Sequence, residues 1–278
     1  MRSFDGEFPR MRLCQVLGVA RSSAGYQSRT APRDLSALKA SILNLRVLHR
    51  GYGVRRMFEL LRKMRVAAPR SQVQRAYREL GIVGKRPQRR VRTTNSNHAE
   101  PRHPNLMRGL ILVRPDQAWV ADVTYVRIGP RFGYLALLMD AYTRQIVGWE
   151  LGAALGAGLT LPALEMALGL QRRPEIHHSD QDAAYACKAY VARLGACKAK
   201  LSMAEAGQPK QNAYAERLNR TVKEEEVYLS EYQNLEQARD ALKAFITHYN
   251  ETRIHSSLKY QTPSEVFNEW IQLHGAKQ

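Results

Sequence analysis

Apolar residues recur at helical spacing along the first third of the chain and in strand-like runs along much of the rest. Leu35, Leu38, Ile42 and Leu45 stand three and four residues apart, which predicts a helix, and H-R-G-Y-G-V-R-R interrupts the pattern. Val54, Phe58 and Leu61 mark a second helix, and Ser71 opens a third that runs through Val73, Tyr77 and Leu80 to Gly81. A compact helical start is expected over residues 11 to 28, with Leu13, Val16 and Leu17 on one face, Gly18 ending the helix and Ser22 capping the next. Residues 84 to 105 carry almost no apolar side chains and three prolines; they read as a linker that tracks a phosphate backbone, with a domain boundary near residue 105.

Past that boundary the pattern turns mixed. A-W-V-A-D-V-T-Y-V reads as a strand, and R-F-G-Y-L-A-L-L-M-D-A-Y-T-R-Q-I-V-G-W-E-L as two more joined by a turn near Ala141 to Arg144. Leu159 to Leu170 is expected to be helical, E-I-H-H-S to be a strand ending at Asp180, and Ala183 to Leu194 to be helical again. A final strand, A-K-L-S-M, precedes a loop with Gly207 and Pro209 and a long helix from about Ala213. In T-P-S-E near the end, Thr262 is the expected N-cap, Pro263 the first helical residue and Glu265 the partner in a capping box. Three consecutive strands and then alternating helices and strands predict an α/β layer with a mixed sheet, its first three strands an antiparallel meander and the later ones added parallel.

Charge sharpens this division. The 278 residues carry a formal net charge of +18, and the excess is segregated: residues 1 to 115 hold 25 Lys/Arg against 6 Asp/Glu, residues 116 to 278 hold 18 against 19. A basic front joined to a nearly neutral back points to a polyanionic partner for the front alone, and double-stranded DNA is the partner expected. Arg55, Arg56, Arg75 and Arg78 fall between the apolar positions of the predicted helices, which would form a small bundle with a basic outer face able to place one helix in a major groove. Cys14, Cys187 and Cys197 are odd in number and lack C-x-x-C spacing, so neither a disulfide framework nor a zinc site is indicated. No apolar run approaches the roughly 18 to 20 residues that span a bilayer and no signal-peptide core opens the chain, so no membrane partner and a cytoplasmic location are expected.

The chemistry rests on three acids. Asp122 sits in an apolar strand, Asp180 ends another, and Glu216 stands on a helix with 35 residues between it and Asp180. Cleaving a phosphodiester puts negative charge on the attacking and leaving oxygens; two Mg²⁺ ions about 3.5 to 4 Å apart stabilise both and prefer carboxylate ligands. Carboxylates from two adjacent strand ends and one packed helix would converge on such a pair. On that helix Ala215, Leu218 and Val222 mark the buried side, and Glu216, Arg220 and Lys223 share another stripe.

At these residues the chain resembles the bacterial insertion-sequence transposases of the D,D(35)E kind, with a retroviral-integrase-like core of ribonuclease H-like fold. The likeness runs from about residue 35 to 268 through W-V-A-D-V-T-Y, H-H-S-D-Q, Q-P-K-Q-N-A-Y-A-E-R, H-Y-N-E-T-R-I-H-S-S-L and T-P-S-E in order, and H-R-G-Y-G-V-R-R resembles the helix-turn-helix that precedes such cores. The resemblance implies Asp122, Asp180 and Glu216 as the catalytic, metal-binding triad, with Arg220 and Lys223 against the DNA end. It implies a mixed five-stranded sheet with flanking helices over residues 106 to 278, a helix-turn-helix DNA-binding domain over 35 to 83 and a short helical segment over 1 to 34. The implied activity is Mg²⁺-dependent 3′-end cleavage and strand transfer, with Mn²⁺ as the expected substitute, by a homo-oligomer on the DNA of the nucleoid. A first-reading-frame protein is a further implied partner.

Two positions depart from that pattern. Where H-S-D-x-G-x-Q-Y is common, this chain has H-S-D-Q-D-A-A-Y, with Asp182 for the glycine and Ala184 for the glutamine. An aspartate there adds bulk and a like charge beside Asp180. These departures leave a DNA-binding regulator with an impaired core in view, and a ribonuclease H-like nuclease that only cuts is a separate alternative.

Overall fold

The structure, a computed structural model, describes residues 10–20, 34–82, 103–205 and 208–275. At the front are helices α1 (Arg10–Val16), α2 (Ser36–Leu48), α3 (Val54–Lys63) and α4 (Arg70–Glu79). Gly18 takes φ +62 and ends α1 as expected, but Val16 and Leu17 are exposed and Cys14 is the buried residue of that turn. The side chain of Leu13, the expected cap Ser22 and nearly all of the expected linker lie outside the described residues. Helices α2 to α4 bury the apolar stripe read from the sequence: Leu38, Ile42, Met57, Leu61, Val73 and Tyr77 form one cluster, with Tyr52 between α2 and α3 and Ile254 added from far along the chain. Gly81 at φ +66 closes α4, as a left-handed residue at a helix end commonly does.

The remaining elements are β1 (Ala118–Ile128), β2 (Arg131–Asp140), β3 (Ile146–Gly152), α5 (Ala157–Gly169), β4 (Ile176–Ser179), α6 (Ala183–Ala186), α7 (Lys188–Ala196), β5 (Lys200–Met203), α8 (Ala213–Glu225), α9 (Leu235–Glu251) and α10 (Pro263–His274). They form a five-stranded mixed sheet in the order β3-β2-β1-β4-β5. The first three strands are the expected antiparallel meander, and β4 and β5 join in parallel. Helices cover both faces, which is why β2 reads L-A-L-L-M without polar alternation. On one face Val120, Leu135, Leu137 and Met139 pack under α8 and α9; on the other Trp119, Ala136, Leu138 and Val147 pack under α5 and α7. Gly148 permits that second layer, since a Cβ there would stand 2.1 Å from the carbonyl oxygen of Ala163 in α5.

One expected helix is two. The run from Ala183 to Leu194 breaks at Cys187, which is extended at φ −65, ψ 147. The carbonyl of Ala184 accepts the Thr160 hydroxyl at 3.2 Å and the Cys187 thiol at 3.4 Å, so side chains occupy the acceptor that a continuous helix would use. At the far end the capping box is present: Thr262 Oγ1 accepts from the Glu265 N–H, and the Glu265 carboxylate accepts from the Thr262 N–H.

Candidate active site

Asp122 lies within β1 rather than at its end, contrary to the reading of two strand-end aspartates. Parallel pairing of β1 with β4 stops at Val120 and His178, whereas β1 continues beside β2 to Ile128. Asp122 therefore sits where the sheet narrows from five strands to the three of the meander, and past Tyr125 and Tyr134 only the ribbon of β1 and β2 remains. Asp180 follows Ser179, the last residue of β4, and continuing the parallel register by two residues sets it next to Asp122. Side chains two apart on a strand share a face, so both acids face the layer that contains α8.

Helix α8 delivers the third acid and secures the first. The Asn219 side chain donates to Oδ2 of Asp122 at 2.8 Å, and the Val123 N–H donates to Oδ1 at 2.8 Å. Glu216 precedes Asn219 by three residues and so stands on the same face of α8. Just before that helix Asn212 donates to the Ala121 carbonyl at 3.0 Å, pinning its start to β1. Burial pushes the Asp122 carboxyl well above the usual carboxylate range, and the charges of Asp180 and Glu216 push it further. The three acids of the sequence reading are thus within electrostatic reach of one another. Among the described residues no group of three His, Cys, Asp or Glu side chains is drawn close enough to hold a metal ion by itself.

A buried histidine fixes the approach of α8 to the strands. His178 Nε2 meets the Gln211 carbonyl at 3.2 Å, so that nitrogen carries the proton, and Nδ1 accepts the Ser202 hydroxyl at 2.8 Å. Ser202 Oγ also accepts the Leu106 N–H at 2.8 Å. Burial lowers the His178 pKa to about 4, so the ring is neutral at physiological pH and links β4, β5 and the segment leading into α8.

Asp182 has a structural account. Its backbone is extended at φ −94, ψ 136, a conformation that needs no glycine, and its side chain caps α6 by accepting the Ala184 N–H at 2.8 Å. Ala184 is buried beneath it. The cleft containing Asp122 and Asp180 is lined also by Val123, Tyr125, Tyr134, Leu155 and Asp182.

The basic residues divide into separate groups. Arg220 and Lys223 follow Glu216 at four and seven residues and are half-buried on α8. Arg55 and Arg78 are exposed on the bundle, and Arg75 pairs with Glu79 at 2.8 Å along α4. Arg56 is held by the core: it meets Glu225, at the end of α8, at 2.8 Å, and Arg253 grips the same carboxylate at 2.7 and 2.8 Å. A Cβ on Gly51 would fall 2.5 Å from Glu225 Cγ, so this loop of the bundle sits directly on that side chain. The Tyr52 hydroxyl accepts the Ile254 N–H at 2.8 Å, and Lys63 pairs with Glu265 at 2.7 Å. H-Y-N-E-T-R-I-H is accordingly an anchoring segment: Asn250 bonds both the N–H and the carbonyl of Ile146 at 2.9 Å.

Sequence reasoning missed Asn219, Asn212 and the His178 link. The spacing of Asn219 from Glu216 was the available signal, since it shares the acid's stripe.

Comparison with known proteins gives the chain a family. Residues 113–209 and residues 198–263 each match a family described as Integrase core domain. The chain is 33% identical over 94% of its length, and 99% of the relative's, to the insertion element IS600 uncharacterized 31 kDa protein of Shigella sonnei. It is 32% identical to the transposase for insertion sequence element IS629 of Shigella sonnei, over 78% of this chain and 74% of that one. Among solved structures, the HTLV-2 integrase catalytic core domain in complex with magnesium, in its dimeric form, aligns with 56% of this chain and 98% of that chain at 18% identity and a TM-score of 0.46. The chain belongs to the insertion-sequence transposases with an integrase core domain, polynucleotidyl transferases of the DDE type.

Proposed function

We propose that this transposase cuts at the 3′ ends of its insertion element and joins the freed ends to target DNA, using Asp122, Asp180 and Glu216 as its catalytic acids. The observation that carries the proposal is the state of Asp122: a half-buried carboxyl held by Asn219 and Val123 and raised by two further acids. Such a cluster is unfavourable without a cation, and an all-carboxylate donor set suits hard divalent ions. The residues therefore fit Mg²⁺, with Asp122, Asp180 and Glu216 as ligands to two ions and Mn²⁺ as a substitute. When bound, the metal supplies charge neutralisation for the attacking and leaving oxygens and activates the nucleophile.

In the first step a water oxygen bonds to phosphorus at the element's end, the bond from phosphorus to the element's 3′ oxygen breaks, and that oxygen takes a proton to become a 3′-hydroxyl. In the second, this hydroxyl attacks a target phosphodiester, the target's own 3′ oxygen leaves, and the proton passes to it. Both are in-line displacements with no covalent enzyme intermediate. Asn219 orients Asp122 throughout, and Arg220 and Lys223, on the stripe of Glu216, are suited to hold the DNA end. DNA affinity comes chiefly from the helix-turn-helix over residues 35–83, with Arg55, Arg75 and Arg78 on phosphates, and from the basic linker over 84–105 leading to the core over 106–278. Arg56 is the member of that set better explained by its contact with Glu225. A homo-oligomer that handles two element ends together, on nucleoid DNA and with a first-reading-frame protein as a further partner, completes the proposal.

The regulator alternative drew on Asp182 and Ala184; the helix cap made by Asp182 offers a different reason for an aspartate at that position. The test is an assay of cutting and joining on the element's flanking DNA with Mg²⁺. Native protein is expected to yield joined products from uncut and pre-cut ends, and Asp122→Asn neither. Cutting without joining of pre-cut ends would establish a nuclease instead.

A further inference from the structure

Past Asp122 the β1 and β2 face that begins under α5 runs out of the core toward solvent at its far end. Val123, Tyr125 and Arg127 alternate along β1 and stand directly opposite Ala136, Tyr134 and Phe132 of β2. The Tyr125 ring lies 5.1 Å from that of Tyr134 and 6.3 Å, edge-on, from that of Phe132. Phe132 is 61% exposed and Arg127 is exposed beside it. Tyr125 and Tyr134 line the same cleft as Asp122, Asp180 and Asp182; they project from the other face of β1, so the shelf meets the acids around the strand edge that β4 leaves past Val120.

We infer that this shelf holds unpaired nucleotides of the DNA strand next to the cleavage point, an inference that rests on the function proposed above. Aromatic rings interleaved with a cation are the surface that binds single strands, because every base has a stackable face and every phosphate a charge. A phosphate backbone lying on the shelf would meet the carboxylates, whereas a neutral base would not. Arg127, two residues beyond Tyr125 and so about 7 Å further along the strand, is placed for the neighbouring phosphate. A fully paired duplex hides its base faces, so the DNA end must open to reach the shelf.

The test compares two duplexes in EDTA with the full chain: one blunt, one carrying a short unpaired oligothymidine 3′ overhang. Native protein is expected to bind the overhang duplex about tenfold more tightly, the effect of stacking roughly one base. Tyr125→Leu and Phe132→Ser should each erase most of that advantage and leave blunt-duplex affinity unchanged. No preference in native protein, or a preference that survives both substitutions, overturns the inference. Phe132 is exposed at the ribbon's tip, so Phe132→Ser keeps the test decisive should Tyr125→Leu fail to fold. Binding is read without metal or cleavage, so failure of the joining assay and failure of the shelf are distinguishable.

Discussion

Asn219 donates to Asp122 across 2.8 Å and so ties the helix carrying Glu216 to the strand carrying the first acid. Removing a group that orients a metal-binding carboxylate typically costs 10- to 100-fold in activity or metal affinity. Asn219→Ala is therefore expected to lower the cutting rate by about that factor while DNA affinity, measured in EDTA, stays at the native level. Loss of DNA binding in step with cutting would assign Asn219 to the scaffold alone.

Asp122 predicts an inverse relation between stability and activity. Its carboxyl is raised in the folded chain by burial and then by Asp180 and Glu216, so ionised Asp122 opposes folding at neutral pH. Below the raised value the carboxyl is protonated in the folded chain, and the penalty shrinks as pH falls further, vanishing at the ordinary carboxylate value of 3.8. Asp122→Asn should melt at a higher temperature than native protein at pH 7 without metal, with the gap closing toward acid, and should be inactive. Metal should raise the melting temperature of native protein and leave that of the variant nearly unchanged.

Asp182 is expected to behave as a cap. Asp182→Ala should cost about 1 kcal/mol of stability and Asp182→Gly only a few tenths, read from denaturant midpoints. Both should still cut DNA. A marked gain of activity in Asp182→Gly would show instead that the aspartate impairs the site.

Much of this was legible because periodicity and turn chemistry are local properties. The meander, the Thr262 box and the stripe on α8 follow from neighbouring residues, and the structure contains all three. What stayed hidden depends on partners distant in the chain. Asp140, like Asp122, is an aspartate in an apolar run, yet it is fully buried, accepts from the backbone and hydroxyl of Thr143, and faces Arg172. No local pattern separates the two. The break at Cys187 depends on Thr160, 27 positions earlier, and the placement of Arg56 on Glu225 spans 169 positions.

Glu225 carries the fourth prediction. Burial works to raise its carboxyl, yet Arg253 and Arg56 hold it down at about 2. A lowered folded-state value means that its stabilisation is full above the ordinary value near 4.5 and fades as pH falls from there toward 2. Glu225→Gln would leave the buried Arg253 without its counter-charge, at a cost of about 3 to 5 kcal/mol. Urea unfolding from pH 7 to 3 should show the large loss at neutral pH and a flatter acid limb; an unchanged midpoint at pH 7 would refute the pairing as a stabilising contact.

The bundle's attachment to Glu225 also has a metric consequence. Glu216 and Glu225 stand nine residues apart on one helix, about 14 Å of rigid rod, with a proposed catalytic acid near one end and the seat of the bundle at the other. A protein that recognises one stretch of DNA and cuts at a fixed offset needs a ruler. Here α8 is a candidate for that ruler, and inserting or deleting a turn would shift the cut rather than abolish recognition.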